Sequence, residues 1–132
     1  MRVAGIGSIV VLAALTGAAA AQTPSPFDGT YRVVSSAKVT ETYTAKGGQS
    51  GPCPDRTPGP LTIAQGQARY LSETGLQVAG TVGPQGQLTM RAQAPGASRT
   101  VEVEVNGQVN AAGTARARQL GLSCSYDFVW QK

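Results

Sequence analysis

Three five-residue segments, Ser72-Glu73-Thr74-Gly75-Leu76, Gly83-Pro84-Gln85-Gly86-Gln87 and Asn110-Ala111-Ala112-Gly113-Thr114, each carry glycine in the fourth place. A three-residue hairpin loop is a type I turn followed by a residue with a left-handed backbone, and the fourth place is where that residue falls. Serine and asparagine open two of the segments and proline takes the second place of the other, as type I turns prefer. Such regular punctuation between alternating apolar runs confines the chain to a small antiparallel β-fold.

Whether the turns agree with one core is a test of parity, because a slip of one residue moves every side chain to the other face. A two-residue turn at Gln65-Gly66 pairs Ile63 with Ala68. The next two turns pair Tyr70 with Val78, Val82 with Leu88 and Gly80 with Met90. Pro and Gly in Ala94-Pro95-Gly96-Ala97 read as a type II turn that sets Met90 opposite Val101. Asn106-Gly107 is a strong hairpin signal, but turning there would drive Gln108 inward and expel Val109. Turning after Asn110 instead leaves Val109 opposite Ala115 and Gly107 opposite Ala117. A turn at Leu120-Gly121 would set Ala117 opposite Cys124.

Strands are therefore expected at 29–44, 61–64, 67–72, 76–82, 87–94, 98–109, 114–119 and 122–131, with no substantial helix. The fold class is all-β: a small antiparallel eight-stranded up-and-down barrel, with a two-sheet sandwich as the alternative. Gly80 and Gly107 fall inside strands, where glycine marks a bend or a close backbone approach. Both open copies of one unit, Gly80 to Gly86 and Gly107 to Gly113, at an offset of about 27 residues. Gly29-Thr30-Tyr31 resembles the Gly-x-Trp opening of lipocalins and avidins, with tyrosine in place of the tryptophan. That resemblance implies a barrel and no particular ligand.

Residues 1–21 have the form of a secretory signal peptide: Arg2, an apolar run to Leu15 and small residues ending at Ala21. Cleavage there leaves no membrane anchor, a lead at 22–28 and one domain at 29–132. It removes one of 11 basic residues against seven acidic ones, leaving a net charge of +3. The charge is scattered, without the basic stripe and aromatic platforms of a nucleic-acid binder. Cys53 and Cys124 are the only cysteines, and an even count in an exported chain reads as a disulfide. Counting strands up and down places both at the same end. Periplasmic or extracellular residence follows from these two features together.

The chemistry-bearing residues give little sign of catalysis. The chain has no histidine, the commonest general base. No nucleophile elbow or phosphate-binding glycine loop is present, and no metal or cofactor is implied. Glu102 and Glu104 share an outward face, where Arg116 and Arg118 of the next strand are the expected partners. Inward Tyr31, Tyr43, Tyr70, Tyr126, Phe128 and Trp130 face small residues at Ala68, Gly80, Ala92, Gly107, Ala115 and Ala117, which would leave room for a small apolar ligand. The Pro- and Gly-rich loop at 45–60 crosses one mouth and offers Asp55 and Arg56. Tyr43, Tyr70, Trp130, Asp55 and Arg56 are the candidate contacts. The expected function is that of a non-enzymatic exported binding module. The alternative is a protein-directed inhibitor or envelope interaction factor working through residues 51–60.

Overall fold

A computed structural model describes residues 24–44, 47–95, 100–121 and 123–132. The expected signal peptide and the centre of the expected turn at 94–97 lie outside these residues. Ten strands are present among the described residues: β1 (Gly29–Lys38), β2 (Thr42–Thr44), β3 (Ser50–Pro52), β4 (Leu61–Ala64), β5 (Gln67–Leu71), β6 (Gln77–Val82), β7 (Gln87–Pro95), β8 (Thr100–Val109), β9 (Thr114–Leu120) and β10 (Ser125–Gln131). Eight of them close into an antiparallel barrel in the order β1-β10-β9-β8-β7-β6-β5-β4, and β2 pairs with β3 in a separate two-stranded sheet. Closure excludes the sandwich. No helix occurs among the described residues.

The glycine turns hold as read. Gly75, Gly86 and Gly113 have φ of 83°, 84° and 92°, the left-handed region that glycine enters without steric cost. Ile63 meets Ala68, Tyr70 meets Val78, Gly80 meets Met90 and Val82 meets Leu88. Val109 meets Ala115 and Gly107 meets Ala117. A methyl group on Gly107 would stand 2.0 Å from the carbonyl oxygen of Arg116, and one on Gly80 would stand 1.9 Å from that of Thr89. The two glycines therefore mark places where neighbouring backbones approach too closely for any side chain.

Two registers differ from the sequence reading, each by four residues. Met90 faces Val105 rather than Val101, because β7 and β8 run on to Pro95 and Thr100 before turning. Ala117 faces Phe128 rather than Cys124, because β9 and β10 extend to Leu120 and Ser125. An even slip keeps every side chain on its own face, so the apolar pattern is blind to it.

The first strand departs further. A bulge between Val33 and Ser35 reverses its parity, so that Val33, Ser36 and Lys38 lie opposite the inward Trp130, Phe128 and Tyr126. Ala37 and Val39, expected inward, are exposed. The strand ends at Lys38 instead of reaching residue 44, and Tyr43 belongs to the small outer sheet. There it lies opposite Gly51, and Thr42 lies opposite Pro52. Strand β3 thus includes a proline that the sequence reading placed in loop, at the strand end where proline is tolerated.

The small inward residues lie beside large ones. Ala115 lies beside Trp130 and Ala117 beside Phe128, while Gly107 and Gly80 lie beside Leu88 and Met90. Large beside small is the arrangement by which close-packed interiors are built. Tyr31, Leu61, Leu88, Met90, Val105, Val109, Phe128 and Trp130 are all buried in one cluster. Tyr70, Phe128 and Trp130 meet at ring-centroid separations of 5.3 to 6.3 Å in tilted or edge-on contacts, the favourable range for aromatic pairs.

Candidate functional site at the barrel mouth

Strand β4 pairs with β1 only from Gly29 to Tyr31. Above that level its place in the wall is taken by residues 53–60, a strap with prolines at 54, 58 and 60. Prolines cannot donate hydrogen bonds, so the strap cannot extend the ladder as a strand. It is held through its carbonyls instead. Lys38 Nζ donates to Cys53 O at 3.3 Å, the Tyr126 hydroxyl to Pro54 O at 2.7 Å and Trp130 Nε1 to Gly59 O at 3.0 Å. The Ser36 hydroxyl donates to Arg56 O. Ser36 and Lys38 face the strap only because of the bulge in β1.

Three further contacts fix the strap. Cys53 is joined to Cys124, with their Cα atoms 5.8 Å apart, as the strand count implied. Gly59 N donates to Leu71 O at 2.8 Å, and Thr57 N donates to Glu73 Oε2 at 3.3 Å. The last bond ties the strap to the hairpin between β5 and β6.

Strap and hairpin enclose a cleft of about 180 Å³ at the mouth, lined by Arg56, Thr57, Pro58, Ser72, Glu73, Thr74, Leu76, Val103, Gln119 and Phe128. Its floor is apolar: buried Phe128 with half-buried Leu76 and Val103. Its walls are polar. The Tyr70 hydroxyl donates to Gln119 Oε1 at 2.7 Å, which holds the amide and leaves its NH₂ group to donate elsewhere. Burial pushes the Tyr70 phenol far above its ordinary range, so it stays a donor at any physiological pH. Arg56 has no ion-pair partner among the described residues.

Of the candidate contacts, the structure brings Arg56 alone to the cleft. Asp55 is on the strap but turned out, its side chain 94% exposed and 3.3 Å from Lys38 Nζ. Tyr70 and Trp130 lie beneath, fully enclosed, and act through Gln119 and the strap. Tyr43 stands apart, its ring packed over Gly51. Glu73 and Gln119 were not singled out from the sequence, although both left a signal. Glu73 is a charged tip residue on a turn at the mouth end, and Gln119 is a polar residue on the inward parity of β9.

The other charged groups are dispersed. Arg118 makes a two-pronged bond to Asp127, Nε to Oδ1 at 2.8 Å and Nη2 to Oδ2 at 3.1 Å, which lowers the Asp127 carboxyl below its ordinary range. Glu102 pairs with Arg91 at 3.3 Å. Glu104 accepts a bond from Asn106 Nδ2 at 3.2 Å. The expected ladder of Glu102 and Glu104 with Arg116 and Arg118 is absent, because the register places Gln108 and Asn106 opposite those arginines. No group of three metal-ligating side chains occurs among the described residues. Comparison with protein-family models, with curated proteins and with solved structures finds no match.

Proposed function

We propose that this protein is a non-enzymatic exported binding module that takes a small ligand at its strapped mouth. The observation that carries this reading is the cleft between strap and hairpin, an apolar floor under a polar rim, whose walls are fixed before any ligand arrives. Fixed walls spare a ligand the entropy cost of ordering them. Most ligand sites combine an apolar lining with a few convergent polar groups in this way. The disulfide is consistent with an oxidising compartment, and supports export to the periplasm or beyond. Pairing of Arg91 and Arg118 with outer-face carboxylates argues against nucleic acid as the partner.

A second reading, a protein-directed inhibitor or envelope interaction factor, draws support from the exposure of Asp55 on a pinned, proline-stiffened loop. The Ser36 bond to the Arg56 carbonyl argues against docking as a substrate mimic, since a protease would draw on that carbonyl. A partner would instead engage the outward Asp55.

Nitrogen-15 NMR of the oxidised mature domain against a panel of small apolar compounds tests the first reading. Shifts should gather on Leu76, Val103 and Gln119. Shifts confined to the opposite end, or none, would overturn it. Retention of an envelope protein that is lost on Asp55→Ala and unaffected by cleft compounds would favour the second.

A further inference from the structure

Arg56 and Glu73 line the same small cleft from opposite walls, one on the strap and one on the hairpin, yet they form no ion pair with each other. Glu73 uses Oε2 to accept the Thr57 N–H, and a carboxylate has further lone-pair sites to offer. The guanidinium presents a planar fork of donors suited to a carboxylate. Gln119 lines the same cleft, its amide oxygen held by the Tyr70 hydroxyl and its NH₂ left to donate. The rim therefore offers donors for an anion on one side and an acceptor for a cation on the other, above Leu76, Val103 and Phe128.

We propose that the mouth cleft binds a small apolar zwitterion, a free α-amino acid such as leucine or phenylalanine. Its carboxylate sits on Arg56 and Gln119, its ammonium on Glu73, and its side chain on the apolar floor. A simple carboxylic acid would meet the Glu73 charge without compensation, and a simple amine would meet Arg56. Only a ligand carrying both charges satisfies both walls. Size agrees, since a cavity of about 150 Å³ takes a benzene ring and the cleft measures about 180 Å³.

This inference rests on the mouth being the binding site, and the experiment separates the two. Nitrogen-15 spectra of the oxidised domain are titrated with L-leucine, L-phenylalanine, leucinamide, which lacks the carboxylate, and 4-methylpentanoate, which lacks the ammonium. Both amino acids should shift the Gln119 side-chain amide, and each single-charge analogue should bind about fivefold more weakly, as for an exposed ion pair. Arg56→Gln should abolish the preference for leucine over leucinamide. Glu73→Gln, which keeps an acceptor for the Thr57 N–H, should abolish the preference over 4-methylpentanoate. Equal binding of leucine and its analogues, or preferences that survive both substitutions, overturns the zwitterion. Neutral apolar compounds that shift the mouth when leucine does not would sink the inference and leave the mouth as the site; a mouth that no compound shifts would sink both.

Discussion

At the end of the barrel formed by the tight hairpins, backbone meets backbone. Val82 N donates to Gly66 O, Val109 N to Gly86 O and Lys132 N to Gly113 O, each at 2.8 Å, so each hairpin receives the end of the strand that follows it. Phe27 is buried there, and the Tyr31 hydroxyl donates to its carbonyl at 2.6 Å. The Asp28 carboxylate completes the ring by accepting Gln65 N at 2.9 Å and Gly66 N at 3.3 Å. This offsets the unusual φ of 54° at Gln65, a non-glycine residue in a left-handed turn. At the mouth, by contrast, side chains of the wall hold a segment that has few donors of its own. The backbone ring ties strand ends directly to hairpins, whereas the side-chain-held strap has an apolar-floored cleft beside it. The difference follows from sequence: glycine turns can fold under the strands, and a proline-rich crossing cannot enter the ladder.

The largest expected effect comes from the mouth. Replacing Cys53 and Cys124 by alanine removes a link across 71 residues, which in the chain-entropy model costs about 4 kcal/mol. Urea unfolding should register that loss while the barrel still folds; a variant without β-structure would mean that the strap is part of the barrel's own closure. Phe27→Ala at the opposite end should cost about 3 kcal/mol in the same assay, as for a large aromatic removed from a core. A loss near zero would mean that the hairpin ring needs no plug. Tyr126→Phe leaves the Pro54 carbonyl without its donor and should cost about 1 kcal/mol, with faster exchange of the Gly59 amide and little change at Val82.

The smallest effects are those of pH, and the acid and alkaline limbs depend on different groups. Backbone hydrogen bonds from Gln65, Gly66 and Ser25 hold the Asp28 carboxyl below its usual value. Its contribution is present above the unfolded-state pKa, near 3.9, and is lost as pH falls through the lower folded value. Burial raises Tyr70, so the stability linked to its phenol is present below about pH 10 and declines as pH rises beyond it. Asp28→Asn should flatten the acid limb of a stability profile, and Tyr70→Phe the alkaline limb. Unchanged limbs would show that other groups control them.

Much of this was legible in the chain because turn glycines and apolar parity are local signals. Gly75, Gly86, Gly113 and the Gln65-Gly66 pair set their registers directly. The turns after Pro95 and Leu120 are centred two residues later than parity alone places them, which shifts each register by four, since alternation fixes which face a residue takes and not where the strand ends. The bulge at Val33 was hidden for a different reason. It turns Ser36 and Lys38 inward, and those polar residues make sense only beside strap carbonyls that come from elsewhere in the chain. Arg56 could be read as a candidate from its place in the loop. Its meeting with Glu73 at one cleft could not, because that depends on how far the strap sinks into the wall.

The single tryptophan gives the most direct test of a strap seated by wall side chains. Exchange of the Trp130 indole N–H is measured beside the Val82 and Val109 amides, in the oxidised domain and after reduction of the disulfide. The account predicts a slowly exchanging indole with a close contact to the Gly59 α protons, and on reduction a greater acceleration at the indole than at the two amides. An indole that exchanges freely in the oxidised domain, or one that accelerates only as much as the amides, would contradict it.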